Sequence, residues 1–161
     1  MLVLVGCREG RSPGEAQDHD REGEHAGHEI PAHKPKTFPD AVRRLRELNG
    51  RIGQAVAEGK AGALLDERTL PVALDIASWL PEIAADSDMP EEPWDEVNAC
   101  SGVIVAGYQK LLTGAAAAAG ADADASAAVK DSGTAISRLE TVLEAADPRW
   151  FRGTEKAAVA P

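Results

Sequence analysis

The apolar residues between Leu70 and Leu111 recur at steps of three and four, the spacing of one face of an α-helix. An acidic turn, DSDMPEEPWD at 86–95, divides the pattern, so it predicts two amphipathic helices joined as a hairpin. The two stripes comprise Leu70, Leu74, Ala77, Leu80 and Ile83, then Trp94, Val97, Ser101, Ile104, Tyr108 and Leu111. An isolated hairpin would leave one apolar side exposed to water, so further helices must cover it.

Two more stripes with the same period flank the hairpin. They comprise Phe38, Val42, Leu45, Leu48 or Asn49, Ile52 and Val56 before it, and Ala125, Val129, Ser132, Ile136, Leu139, Leu143 and Ala146 after it. Short connections place consecutive helices antiparallel. The sequence therefore predicts an all-α fold, a four-helix antiparallel up-down-up-down bundle over 37–148. In the tail at 149–161, Trp150 and Phe151 are expected to fold back onto the bundle.

Capping residues and prolines predict where the helices begin and end. Thr37 precedes Pro39 and Asp40, an arrangement that caps a helix start, and the first helix should end near Gly59. The second helix should begin at Thr69 or Leu70.

Pro81 interrupts the second helix, where it removes one internal hydrogen bond and predicts a kink. The third helix should open at 90–93 and end near 112–114, unless the alanines at 115–119 prolong it. Pro148 should terminate the fourth helix.

Residues 8–36 are rich in Gly, Pro, Glu, Asp and His and nearly empty of large apolar side chains. Such a segment cannot bury enough surface to offset its backbone entropy, so it is expected to be a disordered tether. It holds all four histidines, His19, His25, His28 and His33. Imidazole suits Zn, Cu and Ni, and a flexible segment can wrap a metal with weak, pH-dependent affinity. The alternative is a solvated polar spacer.

The residues Leu4-Val5-Gly6-Cys7 resemble the lipobox of bacterial lipoproteins, in which a signal peptidase cuts before the Cys and the thiol carries diacylglycerol. The resemblance implies a signal and lipobox at 1–7, lipidation of Cys7, and a cell-envelope, extracytoplasmic or periplasmic location. A secretory signal has a basic start and about 7–15 apolar residues. Only Met1–Val5 precede Gly6, so either the true start lies upstream or the match is accidental.

The second candidate site is electrostatic, because eight acidic residues and no Lys or Arg lie between Arg68 and Lys110. The candidate surface consists of Asp86, Asp88, Glu91, Glu92, Asp95 and Glu96. It predicts docking of a cationic protein partner or a loose divalent-cation site, and the alternative is a solvated turn. An EF-hand is excluded, since the residues after Asp88 supply neither the further ligand at position five nor the Gly at position six, and position twelve would be Val97.

The sequence lacks the residues that several other functions require. A formal charge of −10 disfavours nucleic acid, and no apolar run is long enough to span a membrane, so a lipid anchor would be the membrane contact. No nucleophile elbow, phosphate-binding loop or metalloprotease motif occurs, and Cys100 beside the buried stripe predicts an inert thiol.

The bundle resembles the cytochrome c′ type in helix number and length. The sequence lacks the haem-attachment motif and has no histidine in the predicted bundle. The resemblance therefore implies the shape of the cytochrome c′ bundle without haem or another resident cofactor. The sequence thus predicts a non-enzymatic, lipid-anchored bundle whose tether binds a transition metal. The alternative is an interaction module that docks a cationic partner at the acidic end of the second and third helices.

Overall fold

The computed structural model describes residues 31–60, 63, 67–116 and 122–151, and this part of the chain is helical without strands. Its four long helices are α1 (Phe38–Ala57), α2 (Thr69–Ala85), α3 (Glu91–Ala116) and α4 (Asp122–Ala145). A 3-10 turn, Pro148–Phe151, follows them. The predicted all-α four-helix bundle is confirmed, and α3 continues into the alanine run. Across the described ranges, no helix has the length and apolar character needed to cross a membrane.

Local chemistry fixes both ends of α1. The Thr37 hydroxyl accepts a hydrogen bond of 3.3 Å from the backbone N–H of Asp40, as a helix cap does. At the other end Gly59 takes a positive φ of 66°. Its N–H donates to Val56 O and the N–H of Lys60 donates to Ala55 O, the paired bonds of a Schellman motif. The predicted boundaries of this helix are therefore correct.

The helices form a closed ring in which α1 packs on α2 and α4, and α3 packs on the same two helices. The helix ends that meet one another show that consecutive helices run antiparallel. The N–H of Asp88, between α2 and α3, donates a 2.9 Å bond to Trp150 O, beyond the end of α4. The ring of Phe151 stacks on Phe38 at the start of α1, with 6.3 Å between centroids. The tail thus folds back onto this end of the bundle as predicted.

The core contains the predicted stripes in the predicted phase. On α3, Ile104 is fully buried whereas Val103 is 42% exposed, which fixes the rotation of this helix. The largest fully buried side chains are Tyr108, Phe38, Leu45, Ile52, Leu70, Ile76, Leu80, Ile104, Ile136, Leu139, Val42 and Val97. Several predicted stripe residues are only partly buried and lie at the edges of their stripes: Leu48, Leu74, Trp94, Ala125, Val129, Leu143 and Ala146.

Two glycines allow helices to approach closely. A methyl group at Gly107 of α3 would lie 2.5 Å from Ser132 Oγ and 3.2 Å from Ala128 O on α4. At Gly53 of α1 it would lie 3.2 Å from a Val129 methyl group. Only glycine therefore fits the α3–α4 contact without a shift of the backbone.

Residues 31–36 pack against the bundle, although the sequence assigns them to the tether. Pro35 is buried, and Arg44 Nη1 donates a 2.8 Å hydrogen bond to the backbone oxygen of His33. Lys34 also forms a 2.8 Å ion pair with Glu82 of α2. The packed unit therefore begins before Thr37. Short polar stretches of this kind become ordered by tertiary contacts that composition does not reveal.

Candidate functional site

The acidic surface lies at the end of the bundle where α2 ends and α3 begins. Asp86 and Asp88 occupy the connecting turn, while Glu91, Glu92 and Asp95 occupy the first turns of α3. All five side chains are exposed, and none forms an ion pair with a described residue. The start of α3 also carries the positive end of its helix dipole, which stabilises nearby carboxylates.

Glu96, the sixth residue of the predicted surface, has a different environment. Its carboxylate binds the Arg138 guanidinium of α4 through two contacts of 2.6 and 2.8 Å. This paired geometry satisfies the charge of Glu96 within the bundle. It raises the pKa of Arg138, chiefly through the hydrogen bond. Glu96 therefore links α3 to α4 and contributes little free charge to the acidic surface.

Backbone and side-chain bonds fix the position of the connecting turn. The Ser87 hydroxyl donates a 2.6 Å bond to Ala84 O, and the N–H of Asp88 is bound to Trp150 O. Beside this turn a shallow, open depression is lined by Pro90, Glu91, Glu92, Asp95 and Glu96. Its open form suits a flexible or convex cationic group better than an enclosed small molecule.

No group of three or more His, Cys, Asp and Glu side chains within the described ranges is arranged to hold a metal ion. The carboxylates of the acidic surface thus do not converge on one point. Such an arrangement attracts cations through its field and lacks a preformed coordination cage.

The predicted tether site is only partly within the structure. His19, His25, His28 and Cys7 lie outside the described residues. His33 lies against α2, where its Nε2 is 3.0 Å from Asp75 Oδ2. The imidazole ring also packs on Trp79, with 5.3 Å between centroids.

A surface cluster around Trp79 is a feature that the sequence pattern did not reveal. Lys34 Nζ lies 5.5 Å from the Trp79 ring centre, a cation–π distance, and pairs with Glu82. Asp75, Trp79 and Glu82 are spaced four and three apart, so they share one outer face of α2. That spacing was the signal available in the sequence.

The remaining nucleophilic candidate, Cys100, is fully buried. Burial, together with the nearby charge of Glu96, raises the pKa of its thiol to about 11. A thiol with this pKa is almost entirely protonated at neutral pH, so it is a poor nucleophile. Burial also raises the pKa of Tyr108, whose hydroxyl donates a 3.2 Å bond to Asn49 Oδ1.

The fold and its surface define a helical bundle with one strongly acidic end. Comparison with known protein families, characterised proteins and solved structures finds no match to this chain. The function of this protein has to be inferred from its own residues.

Proposed function

We propose that this protein is a non-enzymatic binding module that docks a cationic protein partner through the acidic end formed by α2 and α3. One observation carries the proposal: five exposed carboxylates at this end have no cationic partner among the described residues. The other acidic side chains of this stretch are engaged, Asp75 with His33, Glu82 with Lys34, and Glu96 with Arg138.

A partner for this surface carries clustered Lys or Arg side chains. Like charges close together repel one another in the free protein, and a cationic partner removes that repulsion on binding. Because the carboxylates are exposed, salt screens the attraction, and the affinity should fall steeply as ionic strength rises.

The test uses a fluorescent oligolysine peptide and three proteins of the same length. Asp88→Asn/Glu91→Gln/Glu92→Gln should weaken binding about tenfold at low salt, because three nearby charges are lost.

The control neutralises three exposed carboxylates away from the acidic end, Glu67 before α2 and Asp124 and Asp131 on α4, and should weaken binding less than about threefold. The two triple variants have the same net charge, so a local site separates them. Equal losses would show that the peptide responds to net charge, and the docking surface would be rejected.

We further propose a cell-envelope location with a lipid anchor, supported by the lipobox-like residues Leu4-Val5-Gly6-Cys7. The product of the native reading frame should partition into detergent, and Cys7→Ser should abolish partitioning. A lipid anchor with several acyl chains holds a protein far more firmly than one myristoyl chain. Unchanged partitioning of the Cys7→Ser protein would refute the anchor.

A second candidate activity is weak binding of Cu, Ni or Zn by the histidines. It is supported by the position of His33 beside the Asp75 carboxylate, since imidazole and carboxylate are both metal ligands. In titrations with Cu or Ni, the His19→Ala/His25→Ala/His28→Ala protein should lose most of the parent protein's metal affinity. The His33→Ala protein should lose only part of it. Full affinity in the triple variant would place the metal elsewhere.

A further inference from the structure

The outer side of α3 is free of charge over an unusual length. Residues 97–109 include no Asp, Glu, Lys or Arg, although 27% of the chain is charged. Ala99, Gly102, Val103 and Ala106 are all exposed on this side. Val103 is the one large hydrophobic residue that is exposed in the described part of the chain. The exposed amide side chains of Asn98 and Gln109 border this uncharged strip.

Gly102 has no packing role within the bundle. A methyl group placed there would meet no atom of the described residues within 4 Å, in contrast to Gly107, which α4 contacts directly. Glycine inside a helix costs about 1 kcal/mol relative to alanine. Gly50 on α1 is equally open, but charged residues such as Arg46 and Arg51 surround it. Gly102 thus lies where another helix could approach closely, and the residues around it on α3 carry no charge.

The charges at the two ends of this face have opposite sign. Asp95 lies before it and Lys110 after it, and both side chains are exposed without an ion-pair partner among the described residues. Both lie on the same side of the helix as Gly102, because the exposed positions from 95 to 110 follow steps of four, three, four and four: Asp95, Ala99, Gly102, Ala106 and Lys110. From Asp95 to Lys110 the face is about 22 Å long.

We propose that this face binds a second copy of the chain, with the two α3 helices antiparallel across a two-fold axis between Gly102 and Val103. The axis brings Ala99 opposite Ala106 of the partner. It also brings Asp95 opposite Lys110 of the partner, and it does so twice because the interface is isologous.

The alternative parallel pairing is disfavoured by charge. It would place Asp95 beside Asp95 and Lys110 beside Lys110, and like charges repel. In the antiparallel pair the small residues at the centre let the helix backbones approach closely, and the exposed Val103 becomes buried. The face is therefore complementary to itself in both shape and charge.

Sedimentation equilibrium of the full-length chain under reducing conditions tests the proposal through a charge exchange. The parent protein should dimerise, and Asp95→Lys or Lys110→Asp should each raise the dimer Kd about tenfold at low salt. The combined Asp95→Lys/Lys110→Asp protein should recover most of the parent affinity, because the pair is restored with reversed sign. A parent chain that stays monomeric at about 1 mM overturns the dimer itself. A double variant as weak as the singles overturns the antiparallel register.

A steric comparison keeps the test independent of charge. Gly102→Leu should raise the dimer Kd at least about tenfold, because the larger side chain separates the two helices. Gly50→Leu, an equally open position on α1, should leave the dimer Kd unchanged. Equal behaviour of the two leucine variants would place any self-association on another surface. The dimer shares Asp95 with the acidic surface. The docking variants therefore leave Asp95 and Lys110 intact, so that the two proposals can fail independently.

Discussion

The hydroxyl of Ser101 on α3 donates a 2.8 Å hydrogen bond to the backbone oxygen of Ala77 on α2. This carbonyl needs an external donor because Pro81, four residues later, has no N–H. One turn away, Trp94 Nε1 donates a 3.0 Å bond to the carbonyl of Pro81 itself. The third helix therefore supplies, through Ser101, the donor that Pro81 lacks and adds a second bond through Trp94, and α2 continues through Pro81 to Ala85.

We predict that Ser101→Ala destabilises the protein by about 1–3 kcal/mol, because it leaves a buried carbonyl without a donor. In a Pro81→Ala background the same substitution should cost less, since the alanine that replaces the proline provides the missing N–H. Urea unfolding of the parent, the two single variants and the double variant measures the coupling. Independent effects of the two substitutions would show that Ser101 does not compensate for the proline.

The phase of α3 gives a second prediction, which compares three neighbouring apolar residues. Ile104→Ala should cost about 2–5 kcal/mol, because Ile104 is fully buried between helices. Val103→Ala should cost less than about 1 kcal/mol, because Val103 is exposed. Val105→Ala should fall between them, since its side chain is partly buried. Chemical denaturation would contradict this phase if Ile104→Ala proved the mildest of the three.

The helices were predictable because their boundaries and faces depend on residues close in sequence. Thr37 caps α1, Gly59 ends it, and the three-and-four spacing through Ile104 gives the burial that is observed. The ring of four helices follows because each stripe needs a partner and the connections are short. Local periodicity was therefore sufficient for the architecture.

The partners of individual charges were not predictable, since they depend on how helices sit beside one another. Glu96 resembles Glu91 and Glu92 in sequence, yet only Glu96 faces Arg138 across the α3–α4 contact. Likewise, His33 belongs to a polar segment but binds Asp75, 42 residues away. Composition shows that the end is acidic, and tertiary packing decides which carboxylates remain unpaired.

The buried thiol of Cys100 gives a prediction on pH. Its pKa is about 11 in the folded protein and 9.0 in an unperturbed thiol, so folding favours the protonated form. Stability from this group is complete below about pH 9 and is lost as pH rises toward 11, where the unfolded chain ionises first. Urea unfolding at pH 8 and pH 10.5 should show a decline that is smaller in Cys100→Ala. An equal decline in both proteins would assign the effect to Tyr108 or other groups.

The same burial predicts slow reaction of Cys100 with a thiol reagent. In a Cys7→Ser protein at pH 8, Cys100 should react at least about 100-fold more slowly than in 6 M urea, because reaction requires an exposed thiolate. Rapid labelling of the native protein would show that α3 opens readily at this position.

The contact between Gly107 and Ser132 gives the final prediction. Gly107→Ala should destabilise the protein by about 1–3 kcal/mol despite alanine's higher helix propensity, because the added methyl group meets Ser132 Oγ and Ala128 O. Gly50→Ala is the matched control, since open space surrounds it, and it should stabilise by up to about 1 kcal/mol.

A second substitution identifies which atom resists the methyl group. Ser132 Oγ is buried and has no hydrogen-bond partner among the described residues, so Ser132→Ala alone should be neutral or slightly stabilising. Adding it to Gly107→Ala removes the nearer of the two obstacles and should restore part of the lost stability, while Ala128 O at 3.2 Å still opposes full recovery. Thermal unfolding of the set measures this coupling. If Gly107→Ala proved as stabilising as Gly50→Ala, α3 and α4 would have to lie farther apart here than the structure places them.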